Sequence, residues 1–376
     1  MPQSLMDFLA GSKLTPLMKS DAVKRGVPFT LPGQLLTPSA TKPRTDKVEW
    51  LEYKGTRQGA RVVARSSPSR ARELPGATRR YATALNFKET MTIDPDMQDA
   101  LKSDNPIVNQ NAQIKFINDM ANFREFFDTS RVNAVASVFA NGAIYIDTNG
   151  NLLPNSTGAV ETVGPGIATA QMLIPGAATG GDAGKYSLGD FSNASTNIAG
   201  ALRGYRDSLR RLNNYTADTI IYGVNMPDYL AKNTVHKEYF ARYPEIRASL
   251  VAKNEIPNGT LGFNWTPVHE MYMAVAGATP AADDTTNTWF GPNFIGIMPT
   301  IEGNWYELFE GGNLVPKGIA GPQSSMDDML NLLDVVNGQY SFAEMTSNPV
   351  ALNVHMGDSF LPVIKVVGVY AAGTCA

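Results

Sequence analysis

NAQIKFINDMANFREFFDTSRVNAVASVFANG, residues 111–142, contains no Pro, and no Gly before its last position. Phe116, Met120, Phe123, Phe127, Ala134 and Val138 recur near the 3.6-residue period that places side chains on one helix face. Upstream, Asn105-Pro106 offers an N-cap followed by proline at the first helical position. Asn141-Gly142 offers a stop. The spacing predicts one helix from Pro106 to about Ala140, a rod of roughly 45–50 Å at 1.5 Å per residue. TIDPDMQDALKS, just before it, predicts a shorter helix capped by Asp94 with Pro95 at its first position.

The segment leading into these helices has a different character. GTRQGARVVARSSPSRARELPGATRR, residues 55–80, holds seven arginines and no aromatic residue. KVEWLEYKG (47–55) before it and RRYATALNFKETMTI (79–93) after it alternate with a period of two, the pattern of strands. Two strands around an Arg/Ser/Pro tip make a long hairpin. It has too few large apolar residues to hold itself together, so it must lean on something else. From Lys42 to Arg80 there are 11 basic and 4 acidic residues, a charge of +7. The whole chain carries −3, so everything else carries −10. A positive protrusion on a negative body suits head-to-tail self-association, and equally a nucleic-acid arm.

The chain has 376 residues, enough for two domains or one with large extensions. Charged residues are 18% of it, below the usual quarter, so a lightly charged surface is available to be covered by partners. Cys375 is the one cysteine, which rules out an intrachain disulfide and any cysteine-based metal site. That suits a reducing compartment, and no run of about 18 apolar residues predicts a membrane span. MPQSLMDFLAGSKLTPLMKS reads as a short amphipathic piece (Leu5, Phe8, Leu9), not a secretory signal. Residues 20–46 read as an extended arm.

After the long helix, GAIYIDTNGNLLP (142–154) predicts a hairpin turning at Asn149-Gly150. Residues 155–195 read mostly as loop and 193–214 as an amphipathic helix. ADTIIYG (217–223) reads as a buried strand, and a helix opens at Asn225 and runs to about Arg242. GFNWTPVHEMYMAVAG and NTWFGPNFIGIMPT are strand-rich. SSMDDMLNLLDVVNG (324–338) reads as a helix with a Gly stop. SFLPVIKVVGVYAAG (359–373) reads as one central strand. Helices and strands interspersed without a βαβ repeat predict an α+β fold.

No stretch argues for an enzyme. TGGDAGKYS (179–187) has Thr179 where a phosphate loop needs its first Gly, and Tyr186 where it needs a hydroxyl for magnesium. MGDSFLP (356–362) contains Gly-Asp-Ser, but no His follows Ser359. His236, His269 and His355 lack ligand spacing, and Asp283-Asp284 and Asp327-Asp328 read as solvated turns. No cofactor and no metal are expected. The basic stretch lacks the aromatic residues that stack on single-stranded bases. A solvated loop leaves seven arginines on a coreless hairpin unexplained. An intersubunit arm, whose Arg57, Arg61, Arg65, Arg70, Arg72, Arg79 and Arg80 pair with carboxylates on a neighbour, accounts for them.

The order of these parts resembles the major capsid proteins of tailed bacteriophages with the HK97-type fold, within them the lambda-like major capsid protein E family. The resemblance is carried by the loop 47–93 entering DPDMQDALKS, by NAQIKFINDMANFREFFDTSRVNAVASVFANGAIYID, by ADTIIYGVNMPDYLAKNTVHKEYF and by GFNWTPVHEMYMA. It covers most of the chain from about Lys47 to Ala376 as an arrangement, without a short invariant motif. It implies an N-terminal arm over 1–46, an extended β-hairpin E-loop over 47–93 and the spine helix of a peripheral domain over 94–141. A mainly axial α/β domain would span 142–340, with C-terminal strands over 341–376 returning to the core sheet. It further implies pentamers and hexamers closing into an icosahedral shell around double-stranded DNA, assembled in a host cytoplasm and ending in the virion. A portal, a decoration protein and, given so short an N-terminal segment, a separate scaffolding protein are the expected partners. Two other classes stay open: a nanocompartment shell of the same fold, which encloses an enzyme, and a basic-loop nucleic-acid-binding protein.

Overall fold

The computed structural model describes residues 11–20, 33–53, 77–153, 156–163, 190–213, 215–268, 289–299, 305–316, 333–347, 350–366 and 369–374. Helix α1 (Gly11–Lys19) leads into a 3-10 turn (Gly33–Leu36). Strands β1 (Lys47–Tyr53), β2 (Ala77–Thr83) and β3 (Leu85–Ile93) follow, then helices α2 (Pro95–Lys102) and α3 (Pro106–Asn141). The helix predicted over 106–140 is present. Asn105 Oδ1 accepts the Ile107 N–H, and Gly142 adopts the left-handed conformation (φ 74°) while its N–H returns to Val138 O. At 36 residues α3 is about 54 Å long.

Burial changes character along α3. In its first half Ala112, Phe116, Met120, Arg124, Phe127 and Arg131 form a single buried stripe at three- and four-residue steps. From Val132 to Phe139 nearly every position is buried, because sheets and aromatic side chains surround that end. Phe139 contacts Trp305, Tyr306 and Tyr370, with centroids at 6.2, 5.3 and 4.8 Å, and the Tyr370 hydroxyl donates to Phe139 O at 2.6 Å. Stripe and collar each anchor one core.

The chain continues through β4 (Ile144–Ile146), β5 (Leu152–Leu153) and β6 (Glu161–Val163), which form one antiparallel sheet in the order β5-β4-β6. The turn between β4 and β5 spans Asp147–Asn151 rather than two residues, because the Asp147 carboxylate accepts the N–H groups of Asn149 and Asn151 at 2.8 Å. β6 occupies part of the stretch that the sequence reading assigned to loop; it pairs with β4. Helix α4 (Ile198–Asn213) and strand β7 (Ala217–Tyr222) match expectation. The helix expected from Asn225 to Arg242 is instead α5 (Met226–Lys232) and α6 (Lys237–Arg242), followed by α7 (Pro244–Ala252). The break falls at Asn233, whose amide donates to Thr196 O and whose Oδ1 accepts the His236 N–H. A side chain that competes so well for backbone groups ends the helix.

Strands β8 (Asn264–Pro267) and β9 (Phe294–Pro299) flank β7. Then come β10 (Tyr306–Glu310), β11 (Gly312–Pro316), β12 (Leu333–Asn337), β13 (Tyr340–Ser347), β14 (Val350–Ile364) and β15 (Ala371–Thr374). Here the reading of 324–338 as a helix is corrected over its described part, 333–338. Residues 333–337 are a strand paired with β11, and the Asn337-Gly338 signal turns a hairpin into β13. Gly338 has φ +70°, which serves a hairpin turn as well as a helix stop. The apolar run at the C-terminus is likewise two strands. β14 lies between β10 and β13 and also pairs with β3, whereas β15 joins β9 at the edge of the β15-β9-β7-β8 sheet. The architecture is α+β, with α3 packed against the β14 sheet and α4 to α7 around the β7 sheet. Among the described residues no helix is long and apolar enough to cross a membrane.

Candidate functional site: the basic hairpin and its root

Strands β1 and β2 pair antiparallel from Lys47↔Thr83 to Tyr53↔Ala77 and join no other strand among the described residues. Alternation gives this ribbon two unlike faces. Val48 and Trp50 are buried in the same cluster as Leu35, Phe139 and Trp305, and Ala82 packs against it. The opposite face carries Glu49, Leu51, Arg79 and Tyr81, with Leu51 44% and Tyr81 76% exposed. The hairpin therefore leans on its own body at the root by one face, and presents a mixed apolar and charged strip on the other.

Of the seven arginines singled out from the sequence, Arg57, Arg61, Arg65, Arg70 and Arg72 lie outside the described residues. Arg79 and Arg80 lie on β2. Arg79 pairs with Glu49, and Arg80 Nε donates to Glu52 Oε2 at 2.9 Å; both are diagonal pairs across the ribbon. The Glu49 contact raises the pKa of the Arg79 guanidinium. These two exposed pairs join neighbouring strands of the hairpin within one chain. The sequence reading assigned them a neighbour's carboxylates; within this chain their partners are Glu49 and Glu52, which sit at strand spacing on β1.

The arm before the hairpin is extended and bonded to its own chain. Tyr306 Oη donates to Leu35 O at 2.9 Å, Ser39 N to Leu308 O at 2.7 Å, Gly312 N to Thr45 O at 3.0 Å and Ala84 N to Asp46 O at 2.7 Å. Helix α1 is tied down as well. Leu14 and Met18 enter the cluster with Phe116, Met120 and Phe127. Arg124 Nη1 donates to Met18 O and Ser20 O at 2.7 and 2.6 Å, covering carbonyls that the helix end leaves open.

Beneath the root lies a buried ionic group that the sequence did not reveal. Arg131 of α3 grips Asp358 of β14 through both carboxylate oxygens, with Nη2 2.6 Å from Oδ1, and reaches Glu310 of β10 at 3.0 Å. Its Cζ lies 5.4 Å from the Phe360 ring centroid. Burial opposes the Arg131 cation, but the two carboxylates outweigh it and push its pKa up. Asn337 adds a tie by donating to Pro43 O at 2.6 Å and Glu310 O at 3.2 Å, and Lys19 donates to Asn337 O at 2.8 Å. The segment around Pro43, α3 and strands β10, β12 and β14 meet there.

The remaining chemical candidates find structural places. Ser359 Oγ is buried in β14 without a partner, next to an Asp358 engaged by Arg131, so Gly-Asp-Ser is core here. His236 Nε2 accepts the Ala199 N–H at 3.1 Å at the start of α4, and His355 lies between Thr90 and Glu344. Residues 179–187, His269 and both Asp-Asp pairs lie outside the described residues. No group of three or more metal-ligating side chains occurs among the described residues.

No family model matches the chain, and no curated protein matches it in sequence. Among solved structures it is similar to a phage-related protein from Bordetella bronchiseptica RB50, at 9% identity and TM-score 0.45 over 96% of this chain and 97% of that one. It is similar to the asymmetric unit of the bacteriophage PhiM1 mature capsid, at 12% identity and TM-score 0.41 over 89% and 83%. It is also similar to a virus-like particle from Pyrococcus furiosus, at 8% identity and TM-score 0.40 over 96% of this chain and 97% of that one.

Proposed function

We propose that this chain is the major capsid protein of a tailed-phage head, a shell subunit that assembles into pentamers and hexamers around double-stranded DNA. The carrying observation is the β1–β2 ribbon. It is anchored by Val48 and Trp50, pairs with no other strand among the described residues, and leads to a tip whose arginines outnumber nearby acids. A ribbon with one solvent face of Leu51 and Tyr81 beside charged residues suits contact with another subunit.

Rings built from one chain need head-to-tail contacts, in which one surface patch meets a different one on the next copy. A +7 hairpin region on a −10 remainder supplies such a pair of unlike surfaces. In this reading 1–46 is the arm, 47–93 the E-loop, 94–141 the spine of a peripheral domain and 142–340 mainly axial. Residues 341–376 return to the core sheets. A scaffolding protein, a portal and packaged DNA are its partners in the same reading, with the virion as its destination.

Negative-stain electron microscopy of the purified chain, alone and co-expressed with neighbouring gene products, tests this. Closed polyhedral shells or tubes are expected. A monodisperse monomer under all conditions, especially one that retards DNA on a gel, would overturn the proposal in favour of nucleic-acid binding.

A further inference from the structure

Helix α4 carries four arginines and one acid, Asp207, a charge of +3 within a body that is otherwise acidic. Ile198, Leu202 and Tyr205 bury one stripe of it. At 100° per residue, Arg203, Arg206 and Arg210 fall within about 60° of one another, on a single flank beside that stripe. Arg203 and Arg210 are exposed and Arg206 is half-buried. The Arg206 Cζ lies 5.1 Å from the centroid of the buried Phe263 ring, which holds the middle of the row in place. Arg79, Arg80, Arg124 and Arg131 each pair with a carboxylate of their own chain. Among the described residues no carboxylate pairs with Arg203, Arg206 or Arg210.

The outermost line of α4, next to this row, holds Gly200 and Gly204, both exposed. A Cβ at Gly204 would meet nothing within 4 Å, so no contact inside the chain requires glycine there, and a helix interior is less stable with glycine than with alanine. Its effect is a low surface on which a bulky partner can come close to the helix backbone. From Arg203 to Arg210 the row spans about 10.5 Å of helix axis. One strand of a DNA duplex presents a phosphate for about every 3.4 Å of its axis, so about three phosphates match three arginines. The guanidinium fork binds phosphate oxygens two at a time. A second copy of α4 would instead set like charges face to face, which disfavours the same helix as the occupant.

We propose that α4 is a contact for the phosphate backbone of duplex DNA, made without regard to base sequence, with Arg203, Arg206 and Arg210 as its binding residues. The inference goes beyond shell formation and rests on that reading only for the source of the duplex, the packaged DNA.

Fluorescence anisotropy of a short labelled duplex, titrated with unassembled full-length chain over a range of salt concentrations, tests this. The logarithm of the affinity should fall linearly with the logarithm of salt, and Arg203→Gln, Arg206→Gln and Arg210→Gln together should flatten that slope by about two to three. Lysine at the same three positions should restore it. Removing equal charge by Lys237→Gln, Arg242→Gln and Lys253→Gln, exposed cations on α6 and just after α7, should leave the slope near that of the parent. No duplex binding by the parent at low salt, an unchanged slope in the α4 variant or an equal fall in the control variant would overturn the proposal. Tighter binding to poly-L-glutamate of equal charge would overturn it in favour of an acidic protein partner. Electron microscopy of the same proteins keeps the two readings apart. Shells with no effect of the α4 variant would leave the shell reading standing, and an effect of the variant without shells would leave the DNA contact standing.

Discussion

Arg131 and Asp358, 227 residues apart in the chain, face each other as a two-pronged pair inside the protein. Neither has much solvent: the Asp358 side chain is fully buried and that of Arg131 is 11% exposed. Removing one partner of such a pair strands a charge where water cannot reach it. Asp358→Ala is expected to cost about 3–5 kcal/mol, toward the lower end because Glu310 remains beside Arg131. Urea unfolding would measure it. A loss under about 1 kcal/mol would mean that the pair contributes little to holding α3 on β14.

Gly338 sits against the same group. Its φ of +70° disfavours any side chain, and an added Cβ would meet the Glu310 carboxylate and lie 2.9 Å from Arg131 Nη2. Gly338→Ala is therefore expected to destabilise by about 2 kcal/mol or more, above the cost of a left-handed conformation alone. Thermal unfolding beside Gly150→Ala is the control, since Gly150 has φ +84° but open space around it. Equal effects at the two sites would contradict the crowding argument.

Trp50 separates packing from polarity at the hairpin root. It is 6% exposed, yet its Nε1 has no hydrogen-bond partner. Trp50→Ala should lose about 3–5 kcal/mol as a large core truncation. Trp50→Phe should lose clearly less, because it also removes an unsatisfied buried donor. If the two variants proved equally unstable in denaturant titrations, shape at this site would outweigh area.

His236 gives stability a pH dependence. Burial, reinforced by Arg203, holds its pKa below the ordinary 6.5, and its Nε2 must stay unprotonated to accept from Ala199 N–H. The unfolded chain then binds a proton that the folded chain resists. Stability is complete above the unfolded-state value and falls as pH drops below about 6.5. The melting temperature should decline from pH 7 to pH 5 in the parent protein, and less steeply in His236→Gln. Parallel declines would place the acid sensitivity elsewhere.

Arg79 distinguishes assembly from folding. Its side chain is 71% exposed, so its pair with Glu49 is well screened. Arg79→Ala is expected to leave the melting temperature of the subunit unchanged within error. Under the proposed function, it should raise the protein concentration needed for assembly severalfold, read by light scattering. A lower melting temperature with unaltered assembly would reverse these roles.

The long helix was legible because both of its ends are written locally: Asn105 and Pro106 open it and Gly142 closes it. The β1–β2 alternation was legible for the same reason. What escaped depends on distant chain. Val335 and Val336 suit a strand, but only pairing with β11 decides against the helical spacing of their neighbours. Asn233 stops a helix through a bond to Thr196, 37 residues away. Arg124 and Arg131 fall on the buried stripe of α3, where a sequence pattern expects apolar side chains. Their acceptors, Met18 O and Asp358, lie far along the chain in opposite directions.

β14 has a bearing on synthesis. It pairs with β3, β10 and β13, and β15 completes the β9 edge of the other sheet, so both sheets wait for residues beyond 350. A nascent chain made from its N-terminus carries β3 and α3 long before their partner strand exists. Translation thus sets a clock: neither sheet can close until the last strands have emerged, and every surface that depends on them waits for the end of synthesis.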